Sequence, residues 1–371
     1  PDDVVHRIHA ANVFRGAGRA GRAREILGGG PDGAHPAALH AARAALEERE
    51  RGPSAALPHW EKAWQSARRD MSAAEGLLRC IEAVSGRPAA TARLREIAAL
   101  FPHFVPLQRF AAEWLGVESS RAQEEFLAAY LKSEPDDAWA WREMAFARIR
   151  QARGAEAWEA ASRASEIEPR HPASLVALAE SALLKGDRAK GMELVRAALC
   201  EAIDYSYAID ILLENCHDAA SRKEALAFMR SEIVRQHTTG EAIRLFADLA
   251  AHHLSYEEIL DFLQSARTAR PDLWRVGESM ALHLDKMGRT EEALSVIRGV
   301  VAEFPMTHDP RVTLALLLHK AGRFDEERAS LTEALGVDAS WSWFHRQRAL
   351  LMGNNGDFAG AASVLDRLLA R

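Results

Sequence analysis

EPDDAWAWREMAFARIRQARGAEAWEAASRASEIEP, running from Glu134 to Pro169, begins and ends on the same Glu-Pro pair, with Pro135 and Pro169 34 residues apart. The same interval separates Pro271 from Pro305, Gly288 from Gly322, and Gly322 from Gly356. Counting in 34s from Ala138 starts further units at Pro172, Ser206, Gly240, Trp274, His308 and Ser342 with no insertion, and one step back starts a unit at Phe104.

The columns of this register agree with one another. Position 8 reads Ala111, Ala145, Ala179, Leu213, Ala247, Ala281, Ala315 and Ala349. Positions 20 and 27 are also mostly small, as at Ala157, Gly191, Ala225 and Ala293, and at Ala164, Ala198, Ala266 and Ala334. Small residues recur where two helices must approach closely, and larger apolar ones fill positions 7 and 24, as in Leu178 with Val195 and Leu314 with Leu331. Within each half-unit the apolar spacing is three or four, the period of a helix. Gly at position 15 suits a helix C-cap in the left-handed region. Pro near position 32 stops the second helix before the next unit.

A helix–turn–helix unit of this length with small residues in these columns resembles the tetratricopeptide repeat (TPR) family. PDDAWAWREMAFARIRQARGAEAWEAASRASEIEP and WRVGESMALHLDKMGRTEEALSVIRGVVAEFP carry the resemblance most fully. It covers Phe104 to Arg371. The units at Ser206 and Gly240 are degenerate: both lack the position-15 Gly, and the former also lacks the Pro. Before Phe104 the register loosens, but MSAAEGLLRCIEAVSGRPAATARLREIAALFP still reads as helix, loop, helix, and so do two segments upstream of it. The expected organisation is therefore divergent TPR-like pairs over 1–103, continuous with a regular array over 104–371. The resemblance implies an all-α, right-handed superhelical solenoid of about eleven helix–turn–helix pairs. The chain starts on Pro1, and no polar capping helix follows the last unit, so a longer parent protein is expected.

Of the 371 residues, 48% are hydrophobic and 27% charged, an ordinary globular balance. The net charge of −6 and the lack of any basic run argue against a nucleic-acid binder. No apolar run approaches the roughly 18 residues of a membrane span. Arg far outnumbers Lys and Ala is abundant, which suggests a GC-rich bacterial genome. Cys80, Cys200 and Cys216 form no CxxC pair and read as small buried residues in a reducing, cytoplasmic setting.

Motifs with chemical potential each have a plainer reading. GGGPDG, Gly28 to Gly33, lacks the Gly-Lys-Ser/Thr ending of a phosphate loop and follows a helical segment, so it reads as an inter-repeat loop. His252, His253, Glu257 and Glu258 are metal-ligand types, but HHLSYEE is not HExxH and spans a turn. Cys216-His217 has no matching pair nearby; Cys216 is expected to pack between helices. With no Gly-x-Ser-x-Gly, and with units that touch only their neighbours, the segment reads as non-catalytic, with no cofactor and no metal. Trp141 and Trp158 occupy packing positions, whereas Trp139 and Trp343 sit at position 2 of a first helix, which the resemblance turns toward a concave groove. Trp341 to His345 is a dense aromatic cluster at a unit junction.

If the family geometry holds, positions 2, 5, 6, 9, 12 and 13 of each first helix line that groove. The middle of the chain then presents Trp139, Arg142, Glu143, Phe146, Glu180, Tyr207, Asp210, Glu214, Arg244, Asp248, Arg275 and Glu278. Aromatic anchors among charges suit a peptide or protein partner. The Lys/Asn pattern by which some family members clamp a terminal carboxylate is missing from these columns. The leading expectation is a protein–protein interaction scaffold with no nucleic-acid or membrane partner. A recruiting or regulatory arm of a larger enzyme, such as a protease or transferase, is the alternative, with a fused domain or a homo-oligomer as further partners. A sensor of small molecules or signalling peptides is the third class.

Overall fold

The computed structural model describes residues 4–16, 18–29, 35–236, 240–251, 254–337 and 362. Among them every regular element is an α-helix, twenty in all, and no strand occurs. They fall into two compact units, one ending at Gln151 and one beginning at Ala152. The first contains α1 (Val4–Gly16), α2 (Ala20–Gly28), α3 (Pro36–Arg51), α4 (Pro53–Ser66), α5 (Met71–Ser85), α6 (Arg87–Leu100), α7 (Val105–Glu118), α8 (Ser120–Tyr130) and α9 (Ala138–Arg150). The second contains α10 (Gly154–Ile167), α11 (Pro172–Leu184), α12 (Arg188–Glu201), α13 (Ser206–Glu214), α14 (Ala219–Arg235) and α15 (Glu241–Ala250). It continues with α16 (Tyr256–Ala269), α17 (Trp274–Lys286), α18 (Thr290–Glu303), α19 (Asp309–Lys320) and α20 (Phe324–Val337).

From α7 onward the first helices of successive pairs begin at Val105, Ala138, Pro172, Ser206, Glu241, Trp274 and Asp309, each step within one residue of 34. Within each unit, every substantial helix contact joins elements that are adjacent or next but one in order. Such neighbour-only packing defines a repeat array. Apart from Ala362, the unit expected at Ser342 lies outside the described residues, as do the Trp341–His345 cluster, His252 and His253.

Small residues make the pairs close. Ala111, Ala145, Ala179, Ala247, Ala281 and Ala315 of position 8 are all buried, as are Ala157, Ala225 and Ala293 of position 20 and Ala164, Ala198 and Ala266 of position 27. At Gly191 the approach is tighter still, since a Cβ there would lie 2.7 Å from the Leu183 side chain. Leucines and isoleucines fill the space between helices, with Leu77, Leu94, Ile97 and Leu107 in the first unit and Leu284, Ile297, Leu314 and Leu318 in the second. Each such side chain contributes about 1.5–3 kcal/mol by leaving water.

Where a polar residue replaces the small one, it brings its own partners. Gln123, at position 20, is 2% exposed. It fits because position 13 above it is Gly116, whose added Cβ would lie 2.9 Å from the Gln123 amide. Its Nε2 donates to Glu143 Oε2 at 3.1 Å, and its Oε1 accepts from Arg150 at 2.5 Å. Buried Glu232 accepts from Arg235 and Gln236, and buried Glu327 meets His319 Nδ1 at 2.9 Å. Buried polar groups remain tolerable only when paired in this way.

Helix ends follow from the turn chemistry. Gly186, Gly288 and Gly322, all at position 15, take φ of 84°, 76° and 71°. The equivalent residue of the unit at Ala138 is Ala152, which takes φ 57° despite its Cβ. In the unit at Ser206, which lacks this glycine, side chains close the end of α13 instead. Asn215 Nδ2 donates to Ile211 O at 2.9 Å, Cys216 Sγ to Leu212 O at 3.3 Å, and Arg188 donates to Asn215 O. Cys80 and Cys216 are buried as expected, and burial pushes the Cys80 thiol up to about 11. Cys200, near the end of α12, is exposed instead.

Candidate interaction face of the first helices

In the first unit the site residues lie on α9. Its N-cap, Asp137, accepts from the backbone of Trp139 and Ala140, from Tyr130 Oη at 2.9 Å and from Arg109 at 3.3 Å. One carboxylate thus ties α7, α8 and α9 together. It also sets the half-buried Trp139, whose ring lies 5.0 Å from the Arg109 guanidinium carbon. Burial pushes the Tyr130 hydroxyl above its ordinary pKa, and the bond to Asp137 adds to the effect. Glu143 and Phe146 are half-buried, and burial raises the Glu143 carboxyl against the opposing pull of Arg150 and Gln123. Arg142 is buried, at 7% exposure.

In the second unit, Tyr207 opens α13 and Glu180 lies on the preceding first helix, α11. The Tyr207 hydroxyl donates to Glu180 Oε1 at 2.6 Å, while the residue as a whole remains 41% exposed. Partial burial, with the Glu180 bond second, raises the hydroxyl pKa, so the proton stays on the tyrosine. Asp210 is half-buried and Glu214 exposed, one and two turns further along α13. The exposed Asp248 of α15 receives Lys286 of α17 at 2.8 Å, and Lys320 of α19 reaches Asp285 of α17 at 2.6 Å. These pairs step from one first helix to the next.

Glu278 departs from an open lining. It is 5% exposed and accepts from Thr313 Oγ1 of α19 at 2.6 Å. Burial raises its carboxyl pKa, with Asp309 adding to the rise and Arg275 and Arg244 opposing it. Arg275 itself lies 4.4 Å from the Trp274 ring and 3.7 Å from Asp309. Arg142 and Glu278 both occupy position 5, as do buried Gln108 and Val176. Position 5 in these pairs sits at the junction with a neighbouring helix. Sequence reasoning passed over Leu316, 50% exposed at position 9 of α19, although the column that supplied Glu180 and Glu214 contains it. It also passed over Asp137, for which an Asp just ahead of a helical run was the available signal.

Cavities open on the other side of the pairs. A cleft of about 430 Å³ lies between the second helices α6 and α8, and one of about 570 Å³ between α16 and α18. Among the described residues, no three potential metal ligands come together, and no helix is long and apolar enough to cross a membrane.

The period, the pairing and the neighbour-only contacts make this chain an array of TPR-like helix pairs. No family model matches it, and no curated protein matches it. Among solved structures it is similar to MamA from Desulfovibrio magneticus RS-1, at 18% identity and TM-score 0.32 over 44% of this chain and 93% of that one. It is also similar to YrrB, described as a TPR protein with an unusual peptide-binding site, at 15% identity and TM-score 0.35 over 48% of this chain and 93% of that one.

Proposed function

We propose that the chain is a protein-interaction scaffold whose first-helix face in the second unit captures a polypeptide segment. The observation that carries this reading is Tyr207, an aromatic ring left 41% exposed while its hydroxyl is fixed to Glu180 at 2.6 Å. A ring held in one place loses little freedom on binding, which favours it as an anchor. Glu180, Asp210 and Glu214 surround it with acidic character, so the preferred segment contains basic residues beside an apolar one. Arg244, Asp248 and Arg275 extend the lining toward α17, where Arg244 and Arg275 suit an acidic group further along the segment, while Glu278 lies behind it, buried against Thr313. Trp139, Glu143 and Phe146 form the corresponding face of α9 in the first unit, with Arg142 buried behind them.

Selection from a display library of random peptides tests the reading. Enriched peptides should be basic and should lose about ten-fold or more in affinity against Tyr207→Ala, as expected when a true anchor is truncated. Glu214→Lys should slow association and weaken its dependence on salt. Enriched peptides that bind Tyr207→Ala as tightly as the original chain would place the binding surface elsewhere.

A further inference from the structure

The cleft between α6 and α8 has a chemistry that the first-helix face does not share. Its walls are Ala99, Pro102, Ala122, Phe126 and Ala129, and its volume of about 430 Å³ has room for an aromatic or long aliphatic side chain. Among the polar groups at its edges, two bear on a ligand: Gln108 and Arg95.

Gln108 is 5% exposed and lines the cleft. Its Nε2 donates at 2.9 Å to both Ala98 O, near the end of α6, and Phe101 O, just past it, carbonyls that also accept the backbone N–H groups of Phe101 and Phe104. Both amide protons are therefore spent, and this fixes the amide orientation. Oε1 takes no hydrogen bond among the described residues, and it is not closed off from solvent, so it is an acceptor open to whatever enters the cleft. A ligand N–H at this point would meet an acceptor whose orientation is already fixed.

Arg95 lies at the rim, exposed and in no ion pair among the described residues. The acid facing it across the cleft, Glu125, is held by Arg121 at 3.1 Å. The cleft between α16 and α18 of the second unit offers an internal comparison. It too has an arginine on its second helix, Arg267, but Glu303 from the other side closes on it at 3.1 Å. What the chain supplies from within at Arg267 is missing at Arg95.

We propose that the α6/α8 cleft is a second docking site. It takes an apolar side chain, aromatic or leucine-like, from a partner polypeptide; the partner's backbone N–H reaches Gln108 Oε1 and an adjacent carboxylate pairs with Arg95. The chemistry is opposite in charge to that of the first-helix face, and the site does not depend on that reading.

The cleft contains four alanines, Ala98, Ala99, Ala122 and Ala129, whose methyl groups report occupancy directly. The test is an NMR titration of the full chain, methyl-labelled at alanine, with the probe N-acetyl-Asp-Phe-amide. Shifts should concentrate on Ala99, Ala122 and Ala129 and should saturate. N-acetyl-Asn-Phe-amide, or the Asp probe against Arg95→Gln, should bind about two- to five-fold more weakly, as suits one exposed ion pair. N-acetyl-Asp-Ala-amide should lose about ten-fold or more, because the apolar anchor is gone. Ala129→Leu narrows the cleft at an exposed position and should abolish the shifts while leaving the other alanine methyls unmoved. Unshifted cleft methyls at millimolar probe, or equal affinity for the Asp and Asn probes, would overturn the proposal.

Discussion

At the scale of single residues, two side chains are held against their preferences. Ala152 sits at φ 57°, in the conformation that Gly186, Gly288 and Gly322 adopt at the same point of their units. An L-residue with a Cβ pays for that region, and glycine does not. Ala152→Gly should therefore stabilise the chain by about 0.5–1 kcal/mol despite the added freedom of the unfolded state, as read from urea midpoints. Glu278 is strained electrostatically. Burial raises its carboxyl pKa above the unfolded value of 4.5, so folding favours the protonated form. The stability it contributes is present below the unfolded pKa and is lost as pH rises through the folded one. Glu278→Gln keeps an acceptor for Thr313 and removes the charge. Its thermal midpoint should exceed that of the original chain at pH 7, and the difference should close near pH 4. A difference independent of pH would mean that the carboxylate is better solvated than its 5% exposure implies.

At the scale of elements, the two degenerate units are the weak stretch of the second unit. Helices α13 and α15 have 9 and 10 residues, against 13 in α11 and α17. They pack more on each other than on their own second helices, α14 and α16, with α13 also resting on α12 and α15 on α17. Short helices with little packing on their own partners open more readily. Amide exchange should be fastest in α13 and α15 and slowest in α11, α12, α17 and α18; equal protection would show that first-helix contacts alone suffice. This weakness was legible in the sequence as missing position-15 glycines at Ser206 and Gly240. The small-residue columns were legible too, since Ala145, Ala157 and Ala164 announce close helix approach wherever they recur. Gln123 was not legible in its own column, because the space for it comes from Gly116, a different position on a different helix. Position 5 misled for a related reason: whether Glu278 faces solvent depends on Thr313, one unit away. A rule that reads one unit at a time cannot see that contact.

At the scale of the whole molecule, the period written in Pro135, Pro169, Gly288 and Gly322 returns as the spacing of first-helix starts, and the chain is all-helical throughout its described residues. The second-helix clefts had no counterpart in the sequence reading, because they arise between elements rather than within a column. One further result follows from substantial contacts that, within each unit, stay between helices adjacent or next but one in order. Chains with short-range contacts close only short loops as they fold, and they fold fast for their length. During synthesis, each helix pair of either unit finds nearly all its partners already made or about to leave the ribosome. Structure can then form in the order of translation, with little hydrophobic surface waiting for a distant segment. A message cut short inside either unit would thus yield a shorter array, with its upstream pairs already folded, rather than a collapsed chain.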